Sequence, residues 1–406
     1  MNRHILIRRN EKIISALWQE QRIVEWNVFD TAQVSLVGNI YIGRVRNVVP
    51  NINGAFVDLG NHVQGFLSLA DTAHMLCPSR PAARNQLKAG DEVVVQVTKD
   101  AAKTKDATLT GNFSLNGRYA VLLHGEKGLH VSGKIRNQAW SKAVQDAVWN
   151  HLTRLNPKYP FGLILRTGAA ALPAEELEPL LEEITQLSRQ YTELLDKAPY
   201  RSCYASLYQA YPPYLTRLRD MGDLTEEIIT DDAVLYQELK TYCSTKLPEL
   251  SERVRLYEDT KFPLTAVYSM KKWLEISLSE CVWLPSGGYL LIQPTEALTV
   301  IDVNSGKFSK KTSAEETYLQ LNEEAAKEIA AQLRLRNLSG IIVADFVDMK
   351  RQEHRDRLMQ TLRRYCRLDP VKTTVVDMTK LNLVEITRQR TTKSLHELLK
   401  KDSLDA

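Results

Sequence analysis

No two of the five cysteines (Cys77, Cys203, Cys243, Cys281 and Cys366) fall at zinc-knuckle spacing, and their scatter does not suggest a disulfide framework. That usage fits a reducing compartment, the cytoplasm. No apolar run approaches the roughly 18 residues that span a bilayer, and the opening MNRHILIRRN has no signal-peptide core. A cytoplasmic protein with no membrane partner is therefore expected. The net charge of +4 across 406 residues is too small for a polybasic coat, so any nucleic-acid contact must be local. Internal repeats of useful length and low-complexity segments are also lacking. What remains is ordinary globular composition, 44% hydrophobic and 25% charged, long enough for two or three domains.

Residues 3–9 and 12–27 alternate apolar and polar side chains about a charged break, which predicts an opening β-hairpin. From 38 to 113, short Val/Ile/Phe runs punctuated by Pro-Asn, Asn-Gly and Gly-Asn predict a small β-barrel. Strands follow at RYAVLLHG and FGLILRT, with a helix near 141–154 between them and a second helix over 173–196. The stretch 197–275 reads as mixed strands and helices without a decisive motif. In the last third, GGYLLIQPTEALTVIDVNSG reads as two strands, SAEETYLQLNEEAAKEIAAQLRLRN as a helix and SGIIVADFVDM as another strand. Ser313 and Glu316 form an S-x-x-E capping box; Tyr318, Leu321, Ala325, Ile329 and Leu333 trace one apolar stripe. This βαβ crossover implies two parallel strands in one sheet.

Residues two apart on a strand share a face, so Asp302 and Asn304 point the same way at its carboxyl end. Asp345 interrupts IIVADFV, whose apolar density suggests burial, where an unpaired carboxylate would cost several kcal/mol. The crossover can bring the three together at the sheet edge where open α/β folds place their sites. Two carboxylates and an amide are hard ligands suited to magnesium, which favours contact with phosphate. The plainer alternative is that Asp302 caps a turn, Asn304 starts a loop and Asp345 pairs with a cation. Asp348 is a further acid that assists or merely ends the strand. The eight histidines show no convincing acid–base pair.

The barrel segment carries Tyr41, Phe56 and Phe66 with Arg44, Arg46, Lys99, Lys103 and Lys105. Aromatics exposed on such a barrel stack bases while cations follow phosphates; the alternative places Phe56 and Phe66 in the core. Between 350 and 393 there are 12 Lys or Arg against 5 Asp or Glu, read either as a phosphate track or as a solvated helix face.

The ordered blocks IYIGRVRNVVPNINGAFVDLG, QGFL, GLILRT, LPSGGYLLI, TEALTVIDVNSGKF, NEEAAKEIAAQLRLRNLSGIIVADFVDM and LVEITRQR resemble the catalytic region of the ribonuclease E/G family, up to about residue 393. The resemblance implies an α+β multidomain chain. Its parts would be an RNase H-like subdomain (1–37 plus 209–275) of structural role, an inserted S1 (OB-fold) β-barrel (38–113) and a 5′-sensor region (114–208). A DNase I-like α/β catalytic subdomain (276–393) and a tail (394–406) would complete it. By motif, Asp302 and Asp345 match the metal-binding aspartates and Asn304 their helper. Arg166, Thr167 and Val121 match the residues that hold a 5′-monophosphate, and Phe56, Phe66 and Lys105 match those that grip RNA.

The activity implied is Mg2+-dependent endonucleolytic cleavage of single-stranded RNA, with Mn2+ as a substitute ion, in RNA processing and decay. The competing reading is an S1-type RNA-binding protein that does not cleave. Three departures from the family pattern stand out. Residues 391–406 lack the family's C-P-x-C zinc-link, so no zinc is expected and a homodimer would need another tie. Lys105 is followed by Asp106 instead of glycine, and Ser132-Gly133-Lys134 replaces a doubly basic segment, which weakens the expected phosphate contacts.

Overall fold

The computed structural model describes every residue except 1, 33–34, 73, 79–86, 102–104, 136, 222–224, 307–313, 400–403 and 405–406. Lys103 and the Ser313 half of the expected capping box lie outside the described residues. The chain divides into two compact units, Met1–Ala32 with Leu224–Ala406, and Gln33–Asp223. Among the described residues no helix is long and apolar enough to cross a membrane.

Among the described residues, the unit of Met1–Ala32 with Leu224–Ala406 holds two sheets. In the first, Arg3–Arg9, Lys12–Gln19 and Arg22–Asp30 form an antiparallel meander, and Glu227–Thr230 pairs in parallel with Arg3–Arg9. The expected hairpin arm 12–27 is thus two strands. Glu20 and Gln21 both adopt positive φ, 47° and 63°, making a two-residue turn without glycine. Alternation continues on either side of that turn, which is why the pattern concealed it.

The second sheet has the order Cys281–Trp283, Tyr289–Pro294, Leu298–Asn304, Gly340–Asp345, Leu383–Arg388, Thr373–Met378. Leu298–Asn304 and Gly340–Asp345 run parallel, joined by the helix Ala314–Leu335. Leu321, Ala325, Ile329 and Leu333 of that helix are fully buried against Leu290, Ile292, Ile301, Ile342 and Ile386 of the sheet. Gln352–Cys366 adds Leu358 and Leu362 to the same core. The long helix stops at Asn337, whose φ of 50° lets Leu338 N donate to Leu333 O at 3.0 Å and Asn337 N to Arg334 O at 3.2 Å. Arg388, 4% exposed, anchors this corner, donating to Asn337 Oδ1 (2.8 Å), Leu338 O (3.0 Å) and Asp369 Oδ2 (2.7 Å).

In the other unit, Ile40–Val49, Gly54–Asp58, Gln64–Ser68, Ala107–Thr110 and Glu92–Lys99 pair in that order, and the last closes on the first. The result is a closed five-stranded barrel whose Gln64–Ser68 and Ala107–Thr110 strands are parallel, as an OB-fold requires. Gly54 is obligatory here, because a Cβ would lie 2.1 Å from the Phe66 ring. A four-stranded sheet follows, ordered Gly128–Val131, Gly162–Leu165, Ala120–Leu123, Ser114–Asn116, with Gln138–Leu155 and Glu178–Lys197 as its helices. The second helix begins at Glu178, five residues later than expected. Pro173 and Glu176 make a turn instead, and Pro179 occupies the first helical turn, the position proline tolerates.

Candidate metal centre and RNA-binding surfaces

Asp302 and Asp345 are register partners on the adjacent parallel strands. Neighbouring strands lie about 4.8 Å apart, so the carboxylates emerge side by side on one face. Asn304 Nδ2 donates to Asp302 Oδ2 at 2.7 Å, fixing that carboxylate's orientation. Among the described residues no donor or cation engages Asp345, so the expected alternative of an Arg or Lys partner is not realised. Partial desolvation and the charges of Asp302 and Asp348 raise the Asp345 pKa above the usual carboxylate value. A cation placed between the two acids relieves that repulsion. Asp348 itself accepts from Asn382 Nδ2 at 2.9 Å.

The expected burial of Asp345 is incorrect, because the residue is exposed. Ile342 and Ala344 point into the core, whereas Ile341, 52% exposed, and Asp345 point to the open face. Apolar residues on both faces gave the run its buried look. Among the described residues no group of three or more His, Cys, Asp or Glu is placed to enclose a metal. The donor set is therefore two carboxylates backed by an amide, which suits an ion that retains water and shares phosphate.

Two neighbours that the sequence did not single out hold this edge in place. Asn322, fully buried on the long helix, clamps the segment after Asp345 by donating to Val347 O (2.7 Å) and accepting from Val347 N (3.1 Å). An asparagine inside an amphipathic helix was the available signal. Gly306, with φ of 52°, follows the Asp302 strand where a Cβ would lie 2.5 Å from Gly287 O.

In the other unit, Val121 stands opposite Ile164 on paired strands, and Arg166 and Thr167 follow the second of them. Arg166 is half-buried and Thr167 exposed. The Arg166 guanidinium donates to Gly117 O at 2.7 Å and to Asp220 Oδ1 at 2.8 Å. Arg219 Nε also reaches Asp220 Oδ1, at 3.0 Å. Burial opposes ionisation of Asp220, but the two guanidiniums outweigh it and lower its pKa. Asp220 was missed because RLRDM reads as an ordinary charged helix surface.

On the barrel, Phe56 and Phe66 face each other in register with ring centroids 5.8 Å apart and an interplanar angle of 70°. Both are half-buried, and Lys105, two residues before the Ala107–Thr110 strand that pairs with that of Phe66, is exposed. Asp106 accepts from Gln64 Nε2 at 3.3 Å. Arg46 is committed to Asp58 through Nε at 3.0 Å, and Arg44 to Glu92 at 3.0 Å. Hydrogen bonding from Gly60 leads the causes that depress the Asp58 pKa, followed on the lowering side by Arg46. These two arginines are therefore braces of the barrel wall.

The sequence profile of the Ribonuclease E/G family matches residues 114–391, and that of the S1 RNA binding domain matches 36–109. The chain is 35% identical to a Ribonuclease G from Haemophilus influenzae over 396 residues, covering 95% of this chain and 78% of that protein. A Ribonuclease G from Escherichia coli is 32% identical over 378 residues, 91% of this chain and 76% of its own length. A Ribonuclease E from Nostoc sp. is 33% identical over 98% of this chain, which spans only 57% of that protein. With the closed barrel and the paired aspartates already in place, this similarity along nearly the whole chain establishes that it belongs to the ribonuclease E/G family of endoribonucleases.

Proposed function

We propose that the chain cleaves single-stranded RNA by magnesium-dependent hydrolysis, leaving 5′-phosphate and 3′-hydroxyl ends, with a preference for A/U-rich segments. The observation that carries this reading is the side-by-side register of Asp302, half-buried, and Asp345, exposed, with no cation engaging Asp345 among the described residues. Asp302 and Asp345 would hold Mg2+, with Mn2+ as a substitute, and Asn304 keeps the Asp302 carboxylate turned toward the site. When bound, the ion offsets phosphate charge and promotes water as the nucleophile. The chain contributes a rigid sheet edge that positions the scissile phosphodiester.

Phe56, Phe66 and Lys105 would grip the strand on the barrel, by stacking and by phosphate contact. Arg166 and Thr167, with Val121 beside them, would receive a 5′-monophosphate, a guanidinium and a hydroxyl being apt ligands for it. Bound phosphate would displace or share the Asp220 contact to Arg166. On this reading the six-stranded sheet with its helices is the DNase I-like subdomain, and the sheet opened by Arg3–Arg9 is the RNase H-like one. Work in RNA processing and decay follows, in a cytoplasmic protein. Product-end analysis of a cleaved oligonucleotide across a Mg2+ titration tests the proposal. Cleavage undiminished in chelator, or 2′,3′-cyclic phosphate ends, would refute it, and binding without cleavage would favour a regulatory RNA-binding protein.

A further inference from the structure

The open face of the six-stranded sheet carries an aromatic pair next to the carboxylates. Trp283 is 69% exposed, more than any other tryptophan, and its ring centroid lies 5.2 Å from that of Tyr289 at an angle of 52°. Tyr289 is the register partner of Trp283 on one side and of Asn304 on the other. Trp283, Tyr289 and Asn304 therefore form a row across three strands on the face that bears Asp302 and Asp345. Two strand spacings, about 10 Å, separate the indole's strand from that of Asp302. Tyr289 braces the indole from one side and leaves most of its surface in water, an arrangement that core packing does not explain.

We propose that Trp283, backed by Tyr289, is a stacking subsite for one unpaired nucleobase of the RNA, next to the phosphodiester at Asp302 and Asp345. An indole offers every base a π-face, so the subsite orients the strand without demanding a sequence. A nucleobase is favoured over a second copy of the chain because the aromatic row ends at Asn304, which hydrogen-bonds Asp302 of the neighbouring carboxylate row. This placement rests on the reading of those aspartates as the cleavage site.

The test uses the full chain with a 5′-monophosphorylated A/U-rich oligonucleotide through which a single abasic nucleotide is walked. In the wild type, an abasic nucleotide next to the cleaved bond lowers kcat/KM roughly tenfold, the scale of one lost base–aromatic stack. Trp283→Ala lowers kcat/KM on the intact oligonucleotide by a similar factor and loses sensitivity to that abasic position, whereas Trp283→Phe keeps most of both. Unchanged cleavage by Trp283→Ala would overturn the proposal, as would protein and abasic penalties that simply multiply. If they multiply while Trp283→Ala also lowers the solution mass, the surface belongs to a second copy. Normal cleavage by Asp302→Asn and Asp345→Asn with the Trp283 coupling intact would sink the metal-site reading and leave the stacking subsite standing.

Discussion

Replacing Asp345 by asparagine removes one of two like charges that the sheet holds side by side, so the variant should be more stable than the wild type in the absence of metal. Carboxylates on neighbouring strands separated by roughly 6 Å repel by about 1 kcal/mol at an effective dielectric of ~50, between protein surface and water. Asp345 has no hydrogen-bond partner to lose among the described residues, and asparagine matches its size. For a unit of roughly 200 residues, that gain corresponds to a rise in Tm of ~2–4 °C, shrinking as salt screens the pair. If the pair holds a metal as proposed, divalent cations should reverse the order. Mg2+ at tenfold its Kd would then stabilise the wild type by about 1.4 kcal/mol and leave Asp345→Asn nearly unmoved. Thermal unfolding of both proteins in chelator and across a Mg2+ titration reads the difference directly. A variant melting several degrees below the wild type in chelator, or equal Mg2+ shifts in the two proteins, would refute this reasoning.

Three further outcomes follow from other parts of the structure. Arg388→Met strands the buried Asp369 carboxylate and should cost about 3–5 kcal/mol in urea unfolding; pairing it with Asp369→Leu should recover much of that loss. His124 stacks on Phe113 and bonds Tyr191 and His74 O, and burial holds its pKa below 6.5. The unfolded chain takes up that proton first, so the unit 33–223 should lose stability as pH falls through about 6.5, and His124→Gln should flatten that slope in pH-dependent melts. Asp220→Asn frees the Arg166 guanidinium and should raise the cleavage preference for 5′-monophosphate over 5′-hydroxyl ends a few-fold, while Arg166→Gln should abolish it; equal ratios in all three proteins would count against the sensor assignment.

The parallel crossover was legible because its helix carries an unbroken apolar stripe and ends on Asn337, both local signals. Asp302 and Asp345 followed from it, since a βαβ unit sets strand direction before any contact is known. Exposure was not legible: Val300 and Ile341 are apolar yet sit on the open face, which made a half-solvated sheet look buried. Nor was the burial of His124 legible, since it ends the strand segment YAVLLHG beside a glycine and nothing in that pattern records that it is only 6% exposed. The Asp220 contact to Arg166 joins residues 54 positions apart through a short helix, and no periodicity records such a meeting.

The most direct test of the metal assignment is the cleavage rate of a 5′-monophosphorylated single-stranded oligonucleotide with magnesium by wild type, Asp302→Asn and Asp345→Asn. The paired-carboxylate site predicts rapid endonucleolytic cleavage by the wild type and a loss of at least about two orders of magnitude in each variant, with RNA binding retained. Equal rates in all three proteins would contradict it.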